Sequence, residues 1–408
     1  MKLMNDNLSS RKRLLSAIDH SEVDYVPFYQ KFWHRGCLSS KEDAWKDQFE
    51  RVRKTTRLGL EDTVGFEIPR AFSPEVKIVR QKQVLPGELD PFLYQEYQTP
   101  KGTLEQIVRQ TKDWPHGGNI PIFTDYVVPR GRSRKYLVET LEDVEALSCL
   151  FSTPGREQLR EFEEQAAKIR RFADKNQLLI ECGDTFTSEW LDGDSIFLGD
   201  ALHWLCGFEN SVMLAHRKPE LIHKLLDVIL QWNLGCIELI SQVGGCDVIV
   251  HRGWYECFWS PKLYREFLAP RITQEVDLTH RIGAKFCYVM TTGIMPFLDI
   301  LKEMKIDVLY GVDPVQGNAD LEKVKRTIGD RVCIWGGVNS AVTLRGAKQG
   351  VEKSVEEAIR ILATDGGFIL AAIDQLFEDT KWENFMTMIQ TWKNLTQASW
   401  THGIRVDG

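Results

Sequence analysis

Residues 307–338 read DVLYGVDPVQGNADLEKVKRTIGDRVCIWGGV: a short apolar run, a polar loop, an amphipathic stretch and a second apolar run. In the amphipathic stretch, Leu321, Val324 and Ile328 share one helical face, and the charged residues between them point away. Parallel strands need a crossover connection, which is usually a helix. The segment therefore predicts a βαβ unit whose helix packs on the sheet.

The same alternation recurs along most of the chain. Eight short β-rich runs occupy residues 25–29, 63–68, 178–183, 247–253, 285–291, 307–313, 332–338 and 368–374. Eight strand and helix units favour a closed (β/α)8 barrel over an open sheet. We therefore predict an α/β protein with TIM-barrel architecture, built as a single domain over residues 1–408.

Two segments depart from this alternation. Ser9 and Ser10 are cap residues before apolar side chains at helical spacing, which predicts an N-terminal helix. The interval of about 70–175 is too long for a simple crossover, and it holds alternating runs and turn signals. It predicts a β-hairpin insertion after the second strand, followed by a charged helix over about 152–176.

Composition narrows the range of partners. The 408 residues include 51 Lys and Arg against 58 Asp and Glu, a net charge of −7, so the basic field that attracts nucleic acid is missing overall. Nine cysteines, never spaced as Cys-x-x-Cys, are unlike a disulfide framework or a zinc knuckle. No run approaches the roughly 18 apolar residues of a membrane span, and the first residues lack an apolar signal core. We expect a cytoplasmic protein that binds neither nucleic acid nor membrane.

In a (β/α)8 barrel, the chemistry lies at the C-terminal ends of the strands. The polar groups at these ends are Glu67, Glu181, Asp184, His251, Glu256, Asp313, Asn339 and Asp374, with polar side chains also in residues 29–34 and 288–292. Large aromatic side chains follow the same strands, including Trp33, Trp254, Tyr255, Phe258 and Trp259. Such rings either pack the top of the barrel or offer flat apolar surface to an aromatic small molecule.

Six ordered segments carry a family resemblance over nearly the whole chain. They are RKRLLSAI at 11–18 running into DYVPF at 24–28 as one segment, YQTPKGTL at 97–104, SPKLYREF at 260–267, GVDPVQG at 311–317, WGGV at 335–338 and GGFIL at 366–370. Together they resemble the uroporphyrinogen decarboxylase superfamily, which also contains the corrinoid-dependent methyltransferases. The resemblance implies a barrel enzyme with its site at the barrel mouth.

The resemblance breaks down at the residues that bind the porphyrin substrate in true decarboxylases. Those enzymes carry an Arg-rich segment after the first strand, whereas residues 29–35 here read YQKFWHR. One lysine and one arginine among aromatic rings make a poor clamp for several carboxylates, because each carboxylate needs its own charge-assisted hydrogen bonds. Porphyrin decarboxylation is therefore disfavoured.

The zinc centre of the superfamily's thiol-activating methyltransferases is also not matched. Those enzymes place His-x-Cys after the fifth strand and a cysteine after the last. The corresponding positions here read Met290-Thr291-Thr292 and Asp374, and Cys287 has the wrong spacing. One carboxylate is not a zinc site, so we expect the usual zinc site to be absent and assign no metal ligand.

The resemblance then implies a third branch of the superfamily, the methyltransferases that act on the methyl donor. Its members pass a methyl group from a donor such as a methoxylated aromatic to Co(I) of a corrinoid protein. The motif that commonly binds cobalamin, Asp-x-His-x-x-Gly, does not occur in the sequence. Cobalamin is therefore expected on a separate carrier protein that docks over the barrel mouth. We predict a corrinoid-dependent methyltransferase that acts as an O-demethylase, with a homodimer as the default assembly.

Cleavage of an aryl methyl ether needs an acid at the ether oxygen. His251 is the first candidate, because imidazole titrates near neutrality, and a structural histidine is the alternative. Glu256 is expected to donate a proton or to orient His251. We assign a catalytic role to these two and to Asp374. The predicted substrate contacts are Tyr29, Trp33, Glu181, Asp184, Trp254 and Tyr288.

Two other functions stay open at this point. The first is a decarboxylase or lyase of a small carboxylic acid, with Lys31, Arg35, Arg70 or Arg252 pairing its carboxylates. The second is a ligand-binding barrel without catalysis. Release of CO2 without a corrinoid would indicate the first function, and binding without turnover would indicate the second.

Overall fold

The computed structural model describes residues 7–32, 45–69, 73–114, 116–122, 132–183, 196–373, 376–377 and 379–401. Its strands are β1 (Thr63–Val64), β2 (Lys77–Gln83), β3 (Phe92–Thr99), β4 (Gly102–Arg109), β5 (Ser133–Lys135), β6 (Leu179–Cys182), β7 (Ile196–Phe197), β8 (Val248–Arg252), β9 (Lys285–Val289), β10 (Val308–Val312), β11 (Cys333–Asn339) and β12 (Phe368–Ile373).

The α-helices complete the alternation along the chain. They are α1 (Ser10–Ile18), α2 (Gln48–Arg57), α3 (Leu141–Ser148), α4 (Arg156–Asn176), α5 (Gly199–Cys206), α6 (Phe208–Arg217), α7 (Pro219–Gln242), α8 (Pro261–Leu263), α9 (Ala269–Arg281), α10 (Leu298–Glu303), α11 (Leu321–Ile328), α12 (Lys348–Leu362) and α13 (Trp382–Thr401). A π-helical turn, Tyr264–Leu268, joins α8 to α9. No helix of this part of the chain is long and apolar enough to cross a bilayer.

Parallel strands form a closed ring. β1, β6, β8, β9, β10, β11 and β12 follow one another in a single sheet. Parallel bridges from Phe28 to Leu370 and from Tyr29 to Glu61 join the last strand to the first through an eighth segment. The predicted (β/α)8 barrel is confirmed, and the strands of the ring lie in the eight runs that the sequence indicates. β7, which pairs in parallel with β8, lies outside these runs.

The N-terminal helix closes one end of the barrel. The side chain of Ser9 caps α1, as predicted, by accepting a hydrogen bond from the N–H of Lys12. Leu14 and Ile18 of α1 are buried in the interior cluster, together with side chains such as Val248 at the start of β8. A cavity of about 10 Å³ lies between α1 and these strands, so this end of the barrel is filled.

The predicted hairpin insertion is the core of a larger sheet. β3 and β4 pair in antiparallel register with Thr99 opposite Gly102, and β2 and β5 extend them into a sheet of order β2-β3-β4-β5. The charged helix that follows is α4. The organisation as one domain over residues 1–408 stays a prediction.

Candidate active site

The strands of the barrel are buried on both faces, and alternation decides which side chains reach the interior. On β8, Val248 and Val250 belong to the interior cluster, whereas Ile249 packs in a cluster with the surrounding helices. On β9, Cys287 and Val289 are likewise interior. Arg252, two residues beyond Val250, therefore continues the interior face, and His251 does not.

Aromatic rings line the barrel interior, and two of them, Tyr29 and Trp335, border the small cavity next to α1. The ring of Tyr29 stacks on Trp335, with centroids 4.7 Å apart and an angle of 30° between the planes. Tyr310 meets the same indole edge-on at 4.8 Å, and Trp254 lies 6.5 Å from Tyr310. The indole N–H of Trp335 donates to the Tyr29 carbonyl at 3.0 Å, which fixes the orientation of the ring. The result is a rigid aromatic wall.

A buried ion pair lies against this aromatic wall. Lys31 follows Tyr29 by two residues, and its Nζ lies 2.7 Å from a carboxylate oxygen of Glu181, with side-chain exposures of 0% and 5%. The same Nζ lies 5.0 Å from the ring centroid of Trp335 and 5.5 Å from that of Tyr310, within cation–π range. A buried ammonium persists only when it is paired, so Glu181 and the two rings hold the charge in place.

The hydroxyl of Tyr29 is already engaged within the barrel. It lies 2.6 Å from the hydroxyl of Thr63. Burial, strengthened by the negative charge of Glu181, raises the pKa of Tyr29 well above its ordinary value. This phenol therefore keeps its proton at neutral pH.

His251 faces the helices, behind the barrel wall. Its Nδ1 lies 2.5 Å from a carboxylate oxygen of Glu275 on α9, and its Nε2 lies 3.5 Å from Glu256. Asn233 of α7 donates to the other oxygen of Glu275 at 2.7 Å. Burial alone would lower the pKa of His251, but Glu275 and Glu256 outweigh it and raise the pKa to about 10. The imidazole is therefore a cation in a closed network.

Glu256 and Tyr288 belong to the same network. Tyr288 donates its hydroxyl hydrogen to Glu256 and receives one from Tyr264 at 2.8 Å. The second carboxylate oxygen of Glu256 accepts the backbone N–H of Gly199 at 2.5 Å. Burial raises the pKa of Tyr288, and so does the charge of Glu256. These side chains tie the loop after β8 to the start of α5.

Asp200 fixes the loop after β8 from the other side. Its two carboxylate oxygens accept the backbone N–H groups of Trp254 and Tyr255 at 3.0 and 2.8 Å. Burial and the charge of Glu256 raise the pKa of Asp200 well above its ordinary value. The loop that places Trp254 against Tyr310 is therefore held by buried carboxyl groups.

The predicted site residues separate into three groups. Tyr29, Glu181 and Trp254 lie together in or at the barrel interior. His251, Glu256 and Tyr288 lie together behind the wall, so the expected location of the acid at the mouth is corrected to the helix side. The catalytic role of His251 and Glu256 and the substrate contact of Tyr288 stay predictions. The others fall outside the described residues: Trp33, Asp184 and Asp374.

Two of the aromatic side chains expected at the mouth are placed differently. Trp259 packs against Phe267, with ring centroids 6.0 Å apart, in the cluster between sheet and helices. Phe258 is exposed and stacks on Tyr255. Trp259 is therefore a core residue, held where the chain enters α8.

The expected absence of a thiolate-activating zinc centre near the end of β9 stays a prediction. Met290 is buried in the cluster on the helix side, and Cys287 packs near the closed end of the barrel. The hydroxyl of Thr292 lies 3.3 Å from the sulfur of Cys257. Among the residues that the structure describes, no group of three His, Cys, Asp or Glu side chains could hold a metal ion, and Asp374 lies outside these residues.

Lys31 is the interior residue whose position the sequence did not reveal. The sequence pattern places it only among the possible partners for a substrate carboxylate. A signal was available, because a side chain two positions after Tyr29 points to the same face of the strand.

Comparison with known proteins agrees with this architecture. Residues 203–395 match the family model of uroporphyrinogen decarboxylase (URO-D). A curated uroporphyrinogen decarboxylase of Chlorobaculum parvum is 32% identical over 166 residues, which are 39% of this chain and 43% of that protein. The resemblance to the uroporphyrinogen decarboxylase superfamily is confirmed. The match spans less than half the length of that curated relative.

A solved structure extends the likeness to nearly the whole barrel. The structure described as a methyltransferase from Methanosarcina mazei superposes with a TM-score of 0.56 at 16% identity, covering 95% of this chain and 99% of that one. At this identity the likeness shows the fold alone, over nearly the whole chain.

Proposed function

We propose that this barrel protein is a methyltransferase. It moves a methyl group from a small methoxylated aromatic donor to Co(I) of a separate corrinoid protein. The observation that carries the proposal is the aromatic wall of Tyr29, Trp335, Tyr310 and Trp254 around one buried ammonium–carboxylate pair. A neutral aromatic ring suits such a surface, because offset and edge-on ring contacts are favourable.

The ion pair between Lys31 and Glu181 disfavours a substrate carboxylate at this ammonium. The ammonium of Lys31 is neutralised by Glu181 at 2.7 Å, so a substrate carboxylate would have to displace a buried partner. Porphyrin carboxylates would each need a cation of their own. The likeness to the Methanosarcina mazei protein, itself described as a methyltransferase, supports the same activity.

Cobalamin enters this proposal as a substrate carried by a partner protein. The sequence has no Asp-x-His-x-x-Gly run that would hold it. The partner supplies the cobalt nucleophile, and this chain binds the donor, excludes water and provides the proton. The homodimer and the substrate contacts assigned to Trp33 and Asp184 belong to the proposal as predictions.

The test is a mixture of the full chain, reduced cob(I)alamin and 2-methoxyphenol under anaerobic conditions. We expect loss of the Co(I) absorbance and growth of the methylcobalt absorbance only when protein and donor are both present. A panel of methoxybenzenes that gives no methylcobalt contradicts the proposal. Release of CO2 from small aromatic acids would then support the decarboxylase, and saturable binding of 2-methoxyphenol without turnover would support a binding barrel.

A further inference from the structure

We propose that Lys31 is the general acid of the site and that Glu181 positions its ammonium. The inference rests on the proposed function, since it assigns the proton that ether cleavage requires. Its basis is the location of the ammonium inside the barrel, 2.7 Å from Glu181 and within 5.5 Å of two aromatic ring centroids. His251 lies on the other side of the wall.

Other polar groups on the interior face are poorer proton donors. The guanidinium of Arg252 stays protonated throughout the accessible pH range, so it stabilises charge without releasing a proton. The hydroxyl of Tyr29 is held at 2.6 Å from Thr63 and keeps its proton. A lysine, by contrast, changes its protonation readily when it is buried.

The step balances with Lys31 as the donor. The electron pair of Co(I) forms the cobalt–carbon bond, and cobalt is oxidised by two electrons to Co(III). The carbon–oxygen bond of the ether breaks, and its electron pair goes to the aryl oxygen. That oxygen takes a proton from the ammonium of Lys31, which leaves a neutral amine and a phenol. Solvent returns the proton after the phenol leaves.

Glu181 keeps Lys31 protonated before the reaction, and it does not itself contact the substrate in this proposal. Its charge favours the ammonium form of Lys31 before reaction, and the low dielectric of the interior strengthens that attraction. When the amine forms, the same carboxylate favours reprotonation. Glu181 is therefore a positioning residue, and its removal is expected to change the protonation of Lys31.

Binding of 4-nitrophenol tests the ammonium without cobalt or turnover, because the phenol and the phenolate differ in absorbance. We expect the protein to lower the apparent pKa of the bound ligand, since the ammonium stabilises the phenolate. Lys31→Met should abolish the shift and Lys31→Arg should keep it. Lys323→Met, which changes an exposed lysine of α11, should behave as the parent does.

Methyl transfer from donors with different leaving groups tests the proton. Lys31→Arg keeps the charge but cannot release a proton, so we expect a rate about 100-fold or more lower with methoxybenzene. With 4-nitroanisole, whose phenolate leaves without a proton, the loss should be less than about 10-fold. Equal losses with both donors, or a 4-nitrophenol shift that survives Lys31→Met, would overturn the assignment of Lys31.

The two proposals fail in different ways. If the parent protein transfers no methyl group from either donor, the proposed function fails, and the 4-nitrophenol titration still decides whether Lys31 acts on a phenol oxygen. If Lys31→Met does not fold, because Glu181 is left as an unpaired buried charge, Lys31→Met combined with Glu181→Leu removes both charges. That double variant should bind 4-nitrophenol without any shift, and a retained shift counts against Lys31.

Discussion

His251 and Arg252 are consecutive residues, yet their side chains lie on opposite sides of the barrel wall. The histidine is bonded to Glu275 and Glu256, and its pKa is raised to about 10 by them. Breaking a buried ion pair by removing one partner strands the other charge, at a cost of about 3–5 kcal/mol. The contribution of His251 to the stability of the protein therefore depends on pH in a defined direction.

Substitution His251→Gln is expected to lower the free energy of unfolding by about 3–5 kcal/mol at pH 6. The folded pKa of about 10 lies above the unfolded value near 6.5, so the protonated histidine stabilises the fold fully below about pH 6.5. This contribution falls as the pH rises through about 10. Urea unfolding at pH 6, 8 and 10 should show the difference between parent and variant narrowing, and a constant difference would contradict the assignment. His216→Gln, at an exposed position, is the control.

At the scale of elements, the loop after β8 is the part that connects the buried network to the interior. Asp200 of α5 holds the amides of Trp254 and Tyr255, and Glu256 holds the amide of Gly199. The loop is thus fixed by carboxyl groups that never reach the barrel interior. Because this loop is held in one conformation, it fixes the position of the Trp254 ring.

Asp200→Ala should release this loop. Two partly buried N–H groups then lose their acceptors, at a cost of about 1 kcal/mol or more each in the local folding equilibrium. Amide hydrogen exchange of Trp254 and Tyr255 should accelerate by about 10-fold or more, since 1.4 kcal/mol is a factor of ten. Asp277→Ala, at an exposed position on α9, should leave these amides unchanged. Unchanged exchange in the Asp200 variant would show that the loop is held by other contacts.

Alanine substitutions at two glycines are expected to change stability in opposite directions, because the two glycines have different backbone conformations. Gly311 interrupts β10 with φ +117°, and a Cβ there would lie 2.4 Å from the carbonyl oxygen of Met290. Gly235 lies within α7, where the methyl group of an alanine would meet no neighbouring side chain within 4 Å. Gly311→Ala should destabilise the protein, whereas Gly235→Ala should stabilise it by about 0.5–1 kcal/mol. Thermal unfolding of both variants measures the two signs, and a shift in the same direction would contradict the register at β10.

The sequence predicts the positions of the strands well. It predicts poorly which of their side chains point into the barrel, and this has one physical reason. Parallel barrel strands are buried on both faces, so Val248, Ile249 and Val250 are all apolar and show no alternation to indicate the interior side. The polar residue at the end of such a run, His251, can then be assigned to either face. Its partner Glu275 lies on a helix 24 residues away, which no local pattern reveals.

At the scale of the whole molecule, the two ends of the chain meet at the seam of the barrel. Tyr29 donates its backbone N–H to Leu370 at 3.1 Å, and Leu370 donates to Pro27 at 2.9 Å. Trp392 of α13 donates its indole N–H to the carbonyl of Val26 at 2.8 Å. The seam also carries Lys31 into the interior, so barrel closure and the proposed acid depend on the same few residues.

Leu14→Ala is expected to destabilise the whole barrel and not only α1. Leu14 is 1% exposed and packs among the first interior side chains of the strands, so the cavity left behind should cost about 2–5 kcal/mol. Leu89→Ala, at a fully exposed turn residue of 100% accessibility, should leave stability within about 0.5 kcal/mol of the parent. Because α1 fills the closed end of the barrel, circular dichroism and tryptophan fluorescence should report one shifted urea transition. Two separate transitions in the Leu14 variant would mean that α1 unfolds independently and that the barrel stands without it.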